Sequence, residues 1–389
     1  MEGISILLED LCDMMCVMST TPRRRSSTFA TELLPSRIPM MFVVCLTLVL
    51  AHTNSAKAQV TRDSSRSLSE PSSTYRIDDI GELPTIAADV TVTLNRNGDV
   101  AYWTRTNGLV YAVVWSKGHS ILIDKMPGYP NMIARAINSS GDVGGWMNTS
   151  GNLVDSLSTT QGFVRHGEHI QIVPGLGGRD SRVLALNDKD SAVGTANTAS
   201  GARHAFVFSN SSMSDLGTLP SGKSSTAFSI NNSDVIVGVA DFNGKSNHAV
   251  SWTHLKIMDL GTLPHGAGSS ARAINDLGQI VGFSDTPDGV HAFLYTDGAM
   301  QDLGTLGSDP SEASGINNHG EVVGASNITN TKRHAFVWRK GRMTDLNDLL
   351  PAGAPWALLD AFSINDGGQI VCSARRTGEP LHLILLTPQ

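Results

Sequence analysis

The stretch HAFLYTDGAMQDLGTLGSDPSEASGINNHGEVVGAS, His291 to Ser326, holds three short patterns that recur along the chain in one fixed order. The last of them, Ile/Leu-Asn followed three residues on by Gly or Asp and then by a Val/Ile-rich pair and Gly, marks Asn95, Asn138, Asn187, Asn231, Asn275, Asn317 and Asn365. The intervals are 43, 49, 44, 44, 42 and 48 residues. His-Ala-Phe returns at His204 (HAFVF), His248 (HAVSW) and His334 (HAFVW), with weaker copies at Tyr111, Gln161 and His382. Asp-Leu-Gly-Thr-Leu stands intact at Asp215, Asp259 and Asp302, and in degraded form at Asp79, Asp124, Val173 and Asp345. Three markers that each occur seven times in constant order define a tandem repeat.

Each unit divides into four short apolar runs separated by Gly, Asn, Asp and Pro. In the fifth unit these are Ser269 to Asn275, Gln279 to Ser284, His291 to Tyr295 and Met300 to Leu303. None is long enough for an ordinary helix. Four strands in about 40 to 45 residues predict a propeller blade, whereas a β-solenoid with roughly 20 to 30 residues per coil fits the period worse. The fold expected over residues 75–389 is therefore all-β: a seven-bladed β-propeller of four-stranded blades.

The chain ends predict how the ring closes. The segment Tyr75 to Leu83 is a fourth strand with no first three before it, and Leu381 to Leu386 is a third strand that lacks its fourth. Joined, they complete the last blade and remove a frayed edge. The strand before each repeated Asn carries small residues at alternate positions, such as Ser269, Ala271 and Ala273. Small side chains suit the crowded strand nearest the axis. The Asn-x-x-Gly after it is turn chemistry.

The unit from His291 to Ser326 closely resembles the HAF family of extracellular repeat proteins. The resemblance covers Tyr75 to Pro388, is most specific from Arg203 onward, and extends to the closing unit LNDLLPAGAPWALLDAFSINDGGQIV from Leu346. Departures are Cys372 and Tyr102, where the unit has Gly, which bear on local turn geometry, and an insertion around Thr149 to Thr160. The resemblance implies secretion and a propeller-like repeat. It implies no established activity or catalytic residues.

Upstream of the repeat, Arg23, Arg24, Arg25 and Arg37 precede the apolar run MMFVVCLTLVLA, Met40 to Ala51, which is too short to cross a bilayer as a helix. Ala56-Lys57-Ala58 then offers a small-x-small cleavage site. Residues 1–58 read as a signal peptide with an extended N-terminal region, cleaved near Ala58, and residues 59–74 as a disordered lead-in. The expected location is secreted, extracellular or periplasmic, with no membrane span in the mature form. Cys12, Cys16 and Cys45 fall in the leader, which leaves Cys372 alone and rules out an internal disulfide in the mature chain. Five basic and five acidic groups cancel within residues 1–58, so the 24 basic and 31 acidic groups after them carry the whole net charge of −7. That balance, without Lys/Arg blocks, argues against nucleic acid as a partner.

The repeated His204, His248, His291, His334 and His382 invite a shared metal site. Equivalent atoms in neighbouring blades stand too far apart for one ion, so these side chains are expected to bond a neighbouring strand or blade. Asp188, Asp276 and Asp366, each after a repeated Asn, are expected to cap turns, because a calcium loop needs more converging carboxylates. Asp215, Asp259, Asp302 and Asp345 read as scaffold, and Cys372 in QIVCSA as buried filler. No Gly-x-Ser-x-Gly, phosphate loop or Cys/His metal cluster is present, and no cofactor or catalytic residue is indicated.

The informative positions break the repeat. Loops from the fourth strand of one blade into the first of the next should all open on one face, and their tips differ: Tyr129, Arg179 with Asp180, Lys223, His265, Asp309 and Trp356. Variable tips on a rigid repeat are where binding sites are built. The apolar setting of Trp356 suits packing instead. Tyr129, Arg179, Lys223, His265 and Asp309 are the expected ligand contacts of a monomeric scaffold that binds an extracellular polysaccharide or protein. The alternative is a carbohydrate-active enzyme, a glycoside hydrolase or polysaccharide lyase, with its site in the axial depression. Paired carboxylates in a cleft would discriminate the two.

Overall fold

The structure, a computed structural model, describes residues 75–84, 92–149 and 159–389. The expected leader, lead-in and nearly all of the Thr149 to Thr160 insertion lie outside the described residues. Within them the chain forms seven four-stranded antiparallel sheets, and one short 3-10 turn at Leu346–Leu349. No helix among the described residues is long and apolar enough to cross a membrane.

Six blades follow chain order from first to fourth strand. In blade 5 these are Ser269–Ile274, Ile280–Asp285, Val290–Thr296 and Ala299–Asp302. The seventh blade takes three strands from the C-terminal end and its outermost from Tyr75–Glu82. That strand pairs antiparallel with Leu381–Pro388, in register from Tyr75 opposite Pro388 to Glu82 opposite His382, with a bulge between Asp79 and Gly81. The predicted closure is the one observed.

Alternation along the strands buries both faces of each sheet, and the core is a set of layers between neighbouring blades. Between blades 3 and 4, Val193, Ala205 and Leu216 meet Ala227, Ile230 and Trp252. The Trp252 indole is fully buried and donates from Nε1 to the Leu216 carbonyl at 2.9 Å, which satisfies its one polar atom. Residues from the first strand of every blade line one axial depression, so those strands are innermost, as their small residues suggested.

The small residues have a further use. Ser225, Ser269 and Ser311 accept from the third-strand N–H of Ala205, Ala249 and Ala292 in the preceding blade, and donate to the carbonyls of Gly217, Gly261 and Gly304. Each hydroxyl staples one blade to the next. A correction applies to the Gly-replacing positions Tyr102 and Cys372: they lie inside second strands, not in turns. In blades 2 to 6 a first-strand carbonyl stands where a Cβ at that site would go. A Cβ on Gly282 would stand 1.9 Å from Ser270 O.

Candidate functional site

The repeated Asn residues do more than cap turns. Six of them accept at Oδ1 from the backbone N–H groups two and four residues on, as Asn231 takes Ser233 and Val235 in blade 4, and Asn365 accepts from Gln369 N–H, four residues on. Each then donates from Nδ2 to the carbonyl of the Asn in the next blade. The bonds run Asn95 to Asn138, Asn138 to Asn187, Asn187 to Asn231, Asn231 to Asn275, Asn275 to Asn317, Asn317 to Asn365 and Asn365 back to Asn95, at 2.9 to 3.4 Å. Seven buried amides thus form a closed ring around the axis, each using an acceptor oxygen for its own turn and a separate donor nitrogen for the next blade.

One residue further on, the ring breaks its symmetry. Arg96, Ser139, Asp188, Asn232, Asp276, Asn318 and Asp366 surround a polar depression of about 180 Å³ at the mouth of the axis. Asn232 Nδ2 lies 3.1 Å from Asp188 and 3.2 Å from Asp276, and Asn318 Nδ2 lies 3.0 Å from Asp366. Arg96 approaches Asp276 and Asp366 at 3.9 and 4.0 Å. Asp188, Asp276 and Asp366 also accept backbone N–H groups, from Ser139, Asn232 and Asn318 of the preceding blade. They cap turns as expected, but the turns are their neighbours'.

The chemistry of this depression is that of a fixed charge array. Burial pushes the Asp188 carboxyl up, but the Ser139 N–H and the Asn232 amide outweigh it and hold it below the usual carboxylate range. A lowered carboxyl is a standing anion and not the proton donor of a glycosidase, although the ionised partner of that donor would carry the same bias.

The repeated His and Asp residues prove to be each other's partners. Nδ1 of His204, His248, His291 and His334 donates to Asp215, Asp259, Asp302 and Asp345 at 2.5 to 3.0 Å, third strand to fourth. Asp215, Asp259 and Asp302 also accept the N–H of Gly217, Gly261 and Gly304, which shapes the turn into the next blade. Burial pushes the Cys372 thiol far up, so the filler reading fits its setting and not that of a nucleophile.

Each first strand runs from the inter-blade loop to the Asn turn, so the five expected ligand residues lie at the opposite end of the axis from the depression, and none lines it. Lys223 and His265 are exposed on loops; Arg179 is exposed at the start of a first strand, its guanidinium 3.2 Å from Thr159 Oγ1. The other two need correction as freely available tips. Tyr129 is half-buried against the cluster of Met132, Ile137 and Phe163. Asp309 is bound to His291 Nε2 at 2.8 Å, so His291 is held by carboxylates on both nitrogens. Trp356 packs against the last core layer, beneath Arg376 and 5.2 Å from the His382 ring, as its apolar neighbours suggested. The Asn ring escaped sequence reasoning because one conserved-looking turn residue explains itself locally. The signal was its invariance in all seven units, including those where the following Gly is replaced by Asp190 or Asp234.

With seven four-stranded antiparallel blades, an amide ring at the axis and closure by both chain ends, the protein is a seven-bladed β-propeller. No known family profile and no curated protein sequence matches the chain. Solved structures do. The β-propeller domain of the Trilobed protease from Pyrococcus furiosus is 10% identical, covering 76% of this chain and 93% of its own, with a TM-score of 0.48. YCF48, solved bound to D1 peptide, is 12% identical over 81% of this chain and 94% of its own, TM-score 0.47. TolB from Acinetobacter baumannii is 11% identical over 74% and 79%, TM-score 0.40. At such identities the likeness is one of fold alone.

Proposed function

We propose that the protein is an exported repeat scaffold of the HAF type that binds an extracellular polysaccharide or protein through the loop face of its propeller. One observation carries this reading: polar side chains that recur from blade to blade are engaged inside the scaffold, whereas Arg179, Lys223 and His265 occur once each and stand exposed. A specific ligand breaks seven-fold symmetry and so is read by groups that break it too. The charged leader, apolar run and Ala-Lys-Ala site support export.

The test is a panel of immobilised polysaccharides and extracellular proteins, probed with the purified chain and assayed in parallel for released products. Saturable retention without product formation is expected. Turnover of a polysaccharide would replace the scaffold reading with an enzymatic one, and failure to bind any panel member would overturn the polymer assignment. Mass spectrometry of exported protein tests the processing: the mature N-terminus is expected at Gln59, and an intact leader on membrane-bound protein would contradict it.

A further inference from the structure

The corner where each blade's Asn turn meets the end of its third strand is filled differently around the ring. In blade 6 it holds an ion pair, Arg339 Nε to Glu321 Oε1 at 2.6 Å, and in blade 7 a hydrogen bond from Gln369 Nε2 to Thr387 Oγ1 at 3.2 Å. In blade 2 it holds His166 and Asp142, with Nδ1 and Oδ1 3.3 Å apart. A third donor arrives there from blade 3. An oxygen of Asp190 lies with the other two donor atoms in a group no more than 4.8 Å across. Elsewhere the position of His166 is taken by Ser116, Ser209, Thr253, Thr296, Arg339 and Thr387, none of them an imidazole. Aspartate at the turn position of Asp190 recurs at Asp234, but the corner facing it offers Ser191 and Ser209. One of the seven corners therefore brings an imidazole and two carboxylates together.

We propose that Asp142, His166 and Asp190 form a binding site for a divalent ion of the zinc class that ties blade 2 to blade 3. Two ligands each about 2.0 to 2.1 Å from a tetrahedral ion are themselves about 3.3 Å apart. That is the separation of His166 Nδ1 and Asp142 Oδ1. Asp190, exposed on its turn, supplies the third side with an oxygen within 4.8 Å of both other donors. One imidazole nitrogen with two carboxylate oxygens suits zinc and its first-row neighbours, while calcium and magnesium prefer all-oxygen sets. The fourth position is open to water.

The surroundings orient the donors. Asn138 Nδ2 lies 3.1 Å from Asp142 Oδ2 and 3.3 Å from Asp190 Oδ1, so one amide holds an oxygen of each carboxylate and leaves Asp142 Oδ1 facing His166. The same amide makes the longest bond of the axial ring, 3.4 Å to Asn187 O. An ion shared by the two blades would reinforce the joint where the ring is loosest.

The experiment uses the full chain without a histidine tag. Bound Zn²⁺ is counted by native mass spectrometry, and affinity is measured by titration calorimetry with zinc chloride. His166→Ala and Asp190→Asn should each lose one ion per chain relative to the parent, or bind it at least tenfold more weakly, and should lose the rise in melting temperature that zinc gives the parent. Asparagine tolerates the positive φ of 63° at position 190, so Asp190→Asn answers even where the imidazole variant folds poorly. His119→Ala, an exposed imidazole in blade 1, should leave count and affinity unchanged. Equal zinc binding by the parent, His166→Ala and Asp190→Asn would overturn the site. So would tighter binding of calcium than of zinc by the parent, since the imidazole would then have no part.

Discussion

His382 Nδ1 donates to the Asp79 carboxylate at 3.0 and 3.1 Å, across 303 residues of chain. In four other blades the same bond joins a His to the Asp eleven residues later. The two ends of the repeat thus rebuild between them a contact that elsewhere belongs to one hairpin, and the ring is closed by the same chemistry that builds each blade.

Removing the closing strand is therefore expected to expose an edge and not merely to shorten the chain. Deletion of residues 59–84 leaves Leu381–Pro388, with Leu383, Ile384, Leu385 and Leu386 fully or almost fully buried in the intact fold, without its outer partner. Aggregation on size-exclusion chromatography and loss of a cooperative melt are the expected outcomes. A soluble, cooperatively folding deletion would contradict the role given to this strand.

The amide ring makes a sharper prediction. Asn275 is 4% exposed, accepts from Leu277 and Gln279 N–H, and donates to Asn317 O and Gln279 Oε1. Asn275→Ala strands these groups and should cost about 2 to 4 kcal/mol in urea unfolding. Asn275→Asp keeps the acceptor but sets a carboxylate against two oxygens, and should be no milder. A variant within about 0.5 kcal/mol of the parent, the range of an ordinary surface change, would show that the ring is incidental.

How much of this was legible differs between scaffold and site. Period, turn chemistry and the mismatched ends specify seven blades and the pairing of Tyr75 with the C-terminal strand, because each is a local pattern repeated many times. Bonds between blades are not local. That the Asn138 amide reaches Asn187, that Ser225 staples Ala205, and that Asp188 caps the turn at Ser139 depend on registers some 20 to 49 residues apart. Asp309 shows the same limit. Its loop position is readable in the sequence, but its bond to His291 is made only when two blades are laid side by side.

Gly282 tests the bulged first strands. A Cβ there would meet Ser270 O at 1.9 Å, a backbone atom that cannot swing aside. Gly282→Ala should lower stability by about 1 to 3 kcal/mol or more, the usual range for overpacking a tight core. Gly298, whose Cβ would meet nothing within 4 Å, offers a comparison in the same blade, where only the positive φ of 80° is paid for. A neutral Gly282→Ala would mean that the Ser270 carbonyl does not crowd this position.

His291 gives a pH dependence. Burial opposes its protonation, but Asp302 and Asp309 on its two nitrogens outweigh burial and raise its pKa above the ordinary 6.5. A raised histidine stabilises the fold fully below its unfolded value and loses that contribution as pH climbs through the folded one. The melting-temperature gap between the parent and His291→Gln should thus be widest between about pH 5 and 6.5, where the acids remain ionised, and narrow above that range. A gap that widens toward pH 9 would contradict the sign.

The division of labour between repeated and once-only residues is tested most directly by comparing three variants with the parent on one retained polymer. The triple variant Arg179→Ala, Lys223→Ala, His265→Ala replaces exposed side chains and should melt like the parent, since exposed substitutions matter by about 0.5 kcal/mol or less each. Its retention should fall. His291→Ala and His334→Ala remove partners of Asp302 and Asp345 and should melt lower, while affinity per folded molecule stays that of the parent. If the triple variant binds as well as the parent, or a His variant folds normally and loses binding, scaffold and site have been assigned the wrong way round.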